Sequence, residues 1–497
     1  MNSISDIKPI IAPLLLPAVC LIIGIVAGRF VSCPVGYALG ALLLMLLLTF
    51  LCKRWSWLQS LLISLCCVSL GALLCLHQKS QLQVEWPSEE HNYALVISSE
   101  PVERGKTLSM DALLAATGQK IQLRLMRDDR SQQLHVGDGL VVFAAIKPLS
   151  AQGSYRTWLE THGYVGETFV WRNRWQRESI SLTDIGRLQR LRLYFMGLRR
   201  QLLAQLSPNI SERDDYSILA AMTLGDKSAV SREQKEQFSI AGTSHLLALS
   251  GLHLGIIYML LSFLFRSRRW QLVNQLLIVS SVWAFVLLVG MPSSVVRAAV
   301  MITVYAVVSL LNRSKTPVNT LALTAILMLV SNPYALFDVG FQLSFSAVLA
   351  ILLFMPLFNN LFTLPSWLSP LWKTTAVTVA AQLGTAPLVA YYFGRFSLWF
   401  LLANFLAIPL ATLILYTMLL TLLLSFWPAA QSVVIILPAT LASWLNSWTS
   451  WIASLPLASI DGLRPTVLQV ALLYIIVACL WYLLRYYVKH TFLSNRL

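Results

Sequence analysis

Charge is scarce in this sequence. Only 12% of its 497 residues are Asp, Glu, Lys or Arg, about half the share in a soluble globular protein. Acid is scarcer still in one half: from Ala241 to Leu497 there are two acidic residues, Asp338 and Asp461, against 12 Lys/Arg. With 57% apolar residues, this excludes a disordered chain, a collagen-like chain and an ordinary cytosolic enzyme. The seven cysteines (Cys20, Cys33, Cys52, Cys66, Cys67, Cys75 and Cys479) all lie in or beside apolar runs. No disulfide framework and no Cys/His zinc spacing can be read from them. P-loop, HExxH, HxHxDH and GxSxG motifs are absent, so no catalytic residue, metal site, cofactor or ATP-driven step is assigned, and the chain is expected not to be an enzyme.

What is abundant is apolar sequence in runs long enough to cross a bilayer, which takes roughly 20 residues per helix. Runs lie at 10–30, 36–52, 57–76, 243–265, 271–290, 294–311, 317–332, 337–358, 374–393, 398–427, 430–455 and 466–484. The expected fold class is therefore a polytopic α-helical membrane protein with about 10–12 transmembrane helices. The first run is read as a retained helix, not a signal peptide, because two more follow at once. Run 398–427 contains Pro409 and is expected to be a broken helix. Run 430–455 carries Trp444, Trp448 and Trp451 among Asn446, Ser447, Thr449 and Ser450, which suits a helix lying at the interface. Basic clusters fall on one side if all twelve runs cross: Lys53 and Arg54; Arg266, Arg268 and Arg269; Arg313 and Lys315; Lys373; Arg485 and Lys489. The positive-inside rule then places both termini in the cytoplasm and the segment 77–240 outside it.

Residues 78–240 are different in kind, with 21 Lys/Arg and 19 Asp/Glu. Between Asn92 and Trp171 five strand-like stretches occur, at 92–99, 107–116, 119–127, 139–147 and 164–171. Ile121, Leu123 and Leu125 alternate with Gln122, Arg124 and Met126, the period of a half-buried strand. Five short strands in about 80 residues suit a small β-barrel of the OB kind. Such barrels often bind nucleic acid through basic and aromatic side chains. Arg124, Arg127, Arg130, Arg172 and Arg174, with Tyr155, Trp158, Phe169, Trp171 and Trp175, supply both types; a solvated basic face and ordinary core aromatics explain them equally simply. From Arg187 to Leu206, Leu188, Leu191, Phe195, Leu198, Leu202 and Leu206 recur at helical spacing among five arginines, reading as a basic amphipathic helix on the membrane surface. The expected division is 1–76 membrane helices, 77–180 barrel domain, 181–210 linker helix and 211–490 membrane domain.

The later runs carry polar groups. His245, Ser250 and His253 sit in TSHLLALSGLHLGI, where Gly251 and Gly255 permit close helix packing or a break; Arg297 follows GMPSSVV; Asp338, Gln342 and Ser344 fall in FDVGFQLSFSAV; Gln382 and Thr385 in AAQLGTAPLVAYYFG; Asn404 in LANFLAIP. A charge at bilayer depth costs about 2.5–3.5 kcal/mol on the gentlest scale, so these groups are expected to face the protein interior, as a hydrated path requires. Simpler readings stand beside this one. Asp338 suits a helix N-cap or a partner for Arg297; Arg297 can snorkel to the interface; the histidines, eight residues apart and about 80° round a helix, do not form a metal pair.

Several stretches resemble the ComEC family of bacterial competence proteins: ILAAMTLGDKSAVSREQKEQFSIAGTSHLLALSGLHLGI (218–256), GMPSSVVRAAVM (290–301), NPYALFDVGFQLSFSAVLAIL (332–352), AAQLGTAPLVAYYFGRFSLWFLLANFLAIPL (380–410) and SWIASLPLASI (450–460). Residues 77–175, ending in GSYRTWLETHGYVGE (153–167), look like that family's OB-like domain. The resemblance implies an inner-membrane channel that passes single-stranded DNA into the cytoplasm during natural transformation. It also implies partners: single-stranded DNA, the lipid bilayer, a periplasmic DNA receptor, and a cytoplasmic DNA motor or single-strand-binding protein. Members usually continue into a metallo-β-lactamase-like domain with an HxHxDH motif. That motif is absent to Leu497, so a separate nuclease is the expectation. The competing readings are a secondary transporter or other membrane protein with a periplasmic sensor domain, and a truncated relic.

Overall fold

The computed structural model describes residues 12–494 apart from 32, 181–185, 211, 266–269, 312–315 and 362–364. The basic clusters Arg266, Arg268, Arg269 and Arg313, Lys315 thus lie outside the described residues, as does the start of the expected linker helix. The chain divides into two compact units. The first comprises residues 12–200 and 322–338.

In this unit α1 (Leu15–Phe30), α2 (Val35–Leu51) and α3 (Ser56–Leu82) precede the sheet. α1 and α3 pack backbone to backbone: a Cβ on Gly71 would stand 2.3 Å from the Leu21 carbonyl oxygen, so only glycine permits the contact. The sheet contains β1 (His91–Ile97), β2 (Val102–Arg104), β3 (Thr107–Leu114), β4 (Lys120–Met126), β5 (Gly139–Ala144), β6 (Tyr164–Val170) and β7 (Trp175–Arg177). Its order is β6-β4-β3-β1-β5-β7, with β2 on β3. All neighbours are antiparallel except β4 and β6, which are parallel. A single two-bond bridge, Lys147 to Glu167, joins the chain after β5 to β6. The five expected strands are present, and β2 and β7 add two short ones. Ile121, Leu123 and Leu125 are fully buried as the alternation requires. Gln122 is buried too, because its amide nitrogen donates to the Tyr155 hydroxyl at 3.0 Å. α4 (Gly153–Thr161) lies between β5 and β6. Its C-terminal end is tied to the segment after residue 331, where the Asn332 amide donates to the Thr161 carbonyl at 3.1 Å.

α5 (Arg187–Leu206) is a single helix. Leu193 and Met196 form its buried side, Leu193 against Val96 and Leu113 of the sheet. Arg199 is buried and Leu188, Leu191, Tyr194 and Leu198 are exposed. The leucine periodicity marked a real stripe, but the sheet covers a different one.

The second unit holds residues 201–321 and 339–494. Its helices are α6 (Arg213–Leu219), α7 (Arg232–Ile240), α8 (Ser244–Leu247), α9 (Gly251–Leu264), α10 (Gln271–Leu288), α11 (Ser293–Leu310), α13 (Val339–Leu361), α14 (Ser369–Phe393), α15 (Phe400–Leu423), α16 (Pro428–Val434), α17 (Ile436–Ser454) and α18 (Val467–Ser494); α12 (Pro317–Ser331) begins in it. Among the described residues eight helices are long and apolar enough to cross a membrane, and four shorter apolar helices accompany them. The chain is a polytopic helical membrane protein.

One local expectation changes: the run holding Pro409 is one continuous helix, α15. In the tryptophan-rich run Leu441, Ala442, Leu445, Thr449 and Ile452 of α17 are buried, and the Trp448 indole donates to the Ala403 carbonyl of α15 at 3.1 Å. β8 (Arg395–Ser397) and β9 (Ser459–Asp461) pair antiparallel. Arg395 extends this tie to α7 through Glu236 at 2.6 Å and Ser239 at 2.9 Å, and also binds Asp461.

Candidate functional site

In the membrane unit His245, Ser250 and His253 flank a break between helices. The run 243–265 is interrupted at Ala248–Ser250, where Ala248 and Ser250 are extended. The Ser294 hydroxyl donates to the freed Leu249 carbonyl. Ser250 opens α9 in a reciprocal cap with His253, whose Nδ1 accepts from the Ser250 N–H at 3.3 Å. That bond leaves the proton on Nε2. His253 is 1% exposed and its Nε2 has no partner among the described residues. Gly242, at φ +77°, lies against Ser397, whose β-carbon would stand 2.8 Å from a Cβ placed there. The Ser397 hydroxyl and the Asn404 amide oxygen are likewise buried without partners. His245 is exposed. A donor on His253, an acceptor on Asn404 and a hydroxyl on Ser397 thus remain unsatisfied in a membrane protein, where each such group is costly unless water or a ligand reaches it.

Arg297 is 5% exposed and its Nε donates to the Ser344 hydroxyl at 3.2 Å. The Gln342 oxygen accepts from the Tyr392 hydroxyl at 2.8 Å. Gln382 is half-buried, and its side chain has no hydrogen bond among the described residues. Thr385 folds its hydroxyl back to the Ala381 carbonyl at 2.9 Å. Asp338 belongs to the first unit. Its backbone is extended and immediately precedes α13, which is the N-cap position. Ser397 and Tyr392 were not singled out by sequence; a lone serine or tyrosine in an apolar run carries no signal of its own.

On the sheet the candidate arginines are largely neutralised. Arg124 pairs with Glu167 at 3.5 Å, Arg127 with Glu103 at 3.2 Å, Arg130 with Asp128 at 3.6 Å, and Arg174 with Glu90. Of the five, only Arg172 has no ion pair among the described residues. Residues 77–180 contain 12 Lys/Arg and 12 Asp/Glu, so the domain carries no net positive field. The aromatic side of the expectation is more favourable. Trp171 is 58% exposed, with Phe169 and Phe143 also exposed, beside a cleft of about 280 Å³ that also meets Arg124, Lys147, Glu167 and Arg174. Trp175 is buried and belongs to the core. Tyr155 and Trp158 lie at a second cleft.

A model of the competence protein family matches residues 222–486, more than half of the chain. The chain belongs to that family. Among curated proteins it is 30% identical over 239 residues to ComE operon protein 3 of Bacillus subtilis, covering 48% of this chain and 30% of that one. It is 28% identical over 232 residues to uncharacterized protein YcaI of Escherichia coli, covering 44% and 30%. An uncharacterized protein of Aquifex aeolicus is 28% identical over 196 residues, covering 39% and 45%. The matches thus span less than half the length of these relatives. No solved structure matches. Every polar residue of the helix break and of α11, α13, α14 and α15 described above falls inside the family-matched span, whereas the sheet precedes it.

Proposed function

We propose that this competence-family protein passes single-stranded DNA across the bacterial inner membrane during natural transformation. The observation that carries the reading is the set of buried polar atoms on His253, Ser397 and Asn404 that have no partner among the described residues. Such groups call for water at membrane depth, which supports a hydrated path. From Ala241 onward the only acids are Asp338 and Asp461, and Asp461 is held by Arg395. A path with so little fixed negative charge does not repel phosphate, whose dense charge dominates nucleic-acid energetics.

The sheet domain would face the periplasm and both termini the cytoplasm. The strand sequence β1-β3-β4-β6-β5, with one parallel pair and the Lys147–Glu167 seam, supports a closed OB-like barrel. A periplasmic receptor would deliver the strand, and a cytoplasmic motor would draw it through. Degradation of the second strand would fall to a separate nuclease. Uptake of labelled single strands by a deletion strain tests the proposal: loss of internalised label, restored by the intact gene, is expected. Unchanged internalisation in the deletion strain overturns it.

A further inference from the structure

The sheet covers one side of α5 and leaves another bare. Leu188, Leu191, Tyr194 and Leu198 are all exposed, and their spacing puts them on one helical face. We propose that this face rests on the surface of the bilayer that holds α1 and α3. Its apolar side chains reach the acyl boundary, and Arg187 and Arg190 meet the phosphates of anionic lipids.

α4 fixes the level at which this face lies. Arg29, at the end of the apolar helix α1, donates to Thr157 of α4, and the neighbouring Gly28 packs against Ala72 and Cys75 of α3. Asn332, just after α12, donates to the Thr161 carbonyl at the other end of α4. α4 therefore lies where the apolar helices α1 and α12 end. Beyond it β6 begins at Tyr164, in register with Lys120 at the start of β4. These strand starts are thus the membrane-proximal end of the sheet, and α5 crosses that end. A Cβ on Gly118, in the β3–β4 turn, would stand 3.7 Å from Gln189 Oε1. Arg192 engages Asp111 and Tyr164 electrostatically, and Leu193 packs on Val96 and Leu113. The bare stripe lies on another side of the helix from Leu193 and Met196, at membrane level.

Charge chooses the occupant. From Gly186 to Ile210 there are five arginines and no acid. Arg192 and Arg199 turn inward, and Arg199 is buried. Arg187 and Arg190 are exposed, and each stands one helical turn before a member of the stripe, Leu191 and Tyr194. An apolar stripe edged by arginines is the pattern of an interfacial helix, whose leucines sink to the headgroup–acyl boundary while the guanidinium groups meet phosphate. A second copy of this chain fits less well, because a two-fold contact on this stripe would set the arginines near their own counterparts.

The contact needs only the membrane, so it fails separately from the DNA path. The full chain, with p-benzoylphenylalanine in place of Leu191 or of Tyr194, is irradiated in vesicles of mixed phosphatidylcholine and phosphatidylglycerol. Adducts are identified by mass spectrometry. Lipid adducts are expected at both positions and not at Val102, an exposed residue paired with Ser109 towards the opposite end of β3 from Leu113. Phosphatidylglycerol should be over-represented among them, about fivefold for each arginine in contact. That excess should disappear in Arg187→Gln with Arg190→Gln. Three results overturn the proposal: adducts between two chains in place of lipid, no adduct at either position, or lipid adducts in the bulk ratio with the arginines intact.

Discussion

The ion pairing of the sheet arginines predicts how single-stranded DNA affinity responds to salt. Each phosphate neutralised contributes about −0.7 to the slope of log affinity on log salt for a single strand. Raising salt from about 50 to about 200 mM then weakens binding about 2.6-fold for one contact, about 7-fold for two and about 130-fold for five. Five free arginines would give the last figure. With Arg124, Arg127, Arg130 and Arg174 held by Glu167, Glu103, Asp128 and Glu90, this face should supply about one contact, from Arg172. Fluorescence anisotropy of a labelled oligonucleotide on the full chain in nanodiscs reads the slope, and variants isolate this face from the rest of the protein. Arg172→Ala should flatten the slope by about 0.7. Arg124→Ala with Arg127→Ala should flatten it by much less than the roughly 1.4 that two phosphate contacts are worth. Glu103→Gln with Glu167→Gln, which frees both guanidinium groups, should steepen it by up to about 1.4. A full loss of about 1.4 in the arginine double variant, with no effect of the glutamine pair, would refute the reasoning: those arginines would be touching phosphate despite their carboxylates.

Reporter fusions after Ser131 and at the C-terminus should read extracytoplasmic and cytoplasmic respectively; a cytoplasmic signal from Ser131 would end the DNA-entry proposal. Gln382→Leu and Gln342→Leu, if these residues line the path, should abolish DNA uptake at unchanged membrane level, whereas normal transformation by both would leave them as packing residues. Asp461 is held below the usual carboxylate range by its hydrogen bond to Arg395. Its contribution is therefore present above the unfolded value near about 3.9 and fades as pH falls through the depressed value. Thermal stability followed by intrinsic fluorescence should show Asp461→Asn less stable than the parent at neutral pH, by at most about 1 kcal/mol for so exposed a pair, and the difference should vanish in acid.

How much of this was legible in the sequence depends on range. The period-two pattern of Ile121, Leu123 and Leu125 located β4, because one buried face is a local requirement. The three-residue β2 and β7 are too short to show a period. Pro409 suggested a break in α15, yet a missing N–H and a ring clash can be absorbed when neighbouring helices hold the chain. The true interruption, at Ala248–Ser250, sits in LLALSGLHL, where Gly251 permitted either a break or close helix packing. It exists because Ser294 takes up the Leu249 carbonyl and His253 the Ser250 amide, and the first of these partners is remote in sequence. The arginines of the sheet looked like a basic face because Glu90, Glu103 and Glu167, which cancel them, come from other strands and loops. The types of residue at the helix break were legible; the contact of Ser397 with Gly242 was not.

The β8–β9 pairing also bears on how many times the chain crosses the membrane. Two segments joined by backbone hydrogen bonds at the ends of membrane helices lie on one side, so an even number of crossings must separate them. Between β8 and β9 come only α15 and the α16–α17 pair. If α16–α17 lay at the interface, one crossing would remain, and the Phe396–Ile460 register would have to reach through the bilayer. The Arg395 bond to Glu236 in α7 imposes the same condition on α9 to α14, six apolar helices. In the first unit, Arg29 at the end of α1 donates to Thr157 in α4 at 3.1 Å, with α2 and α3 between them. α4 in turn holds Asn332, with α9, α10, α11 and α12 between. Each count is even when all twelve runs cross. Removing any one of α2, α3, α9 to α15 or the α16–α17 pair makes at least one count odd. Parity thus argues for crossing even by α9, only 14 residues long, whose N-terminal end would sit at depth beside the unwound Ala248–Ser250 segment. A short helix that starts inside the membrane after an unwound turn is a common way to build a polar site there, and this one carries His253, whose Nε2 has no partner among the described residues.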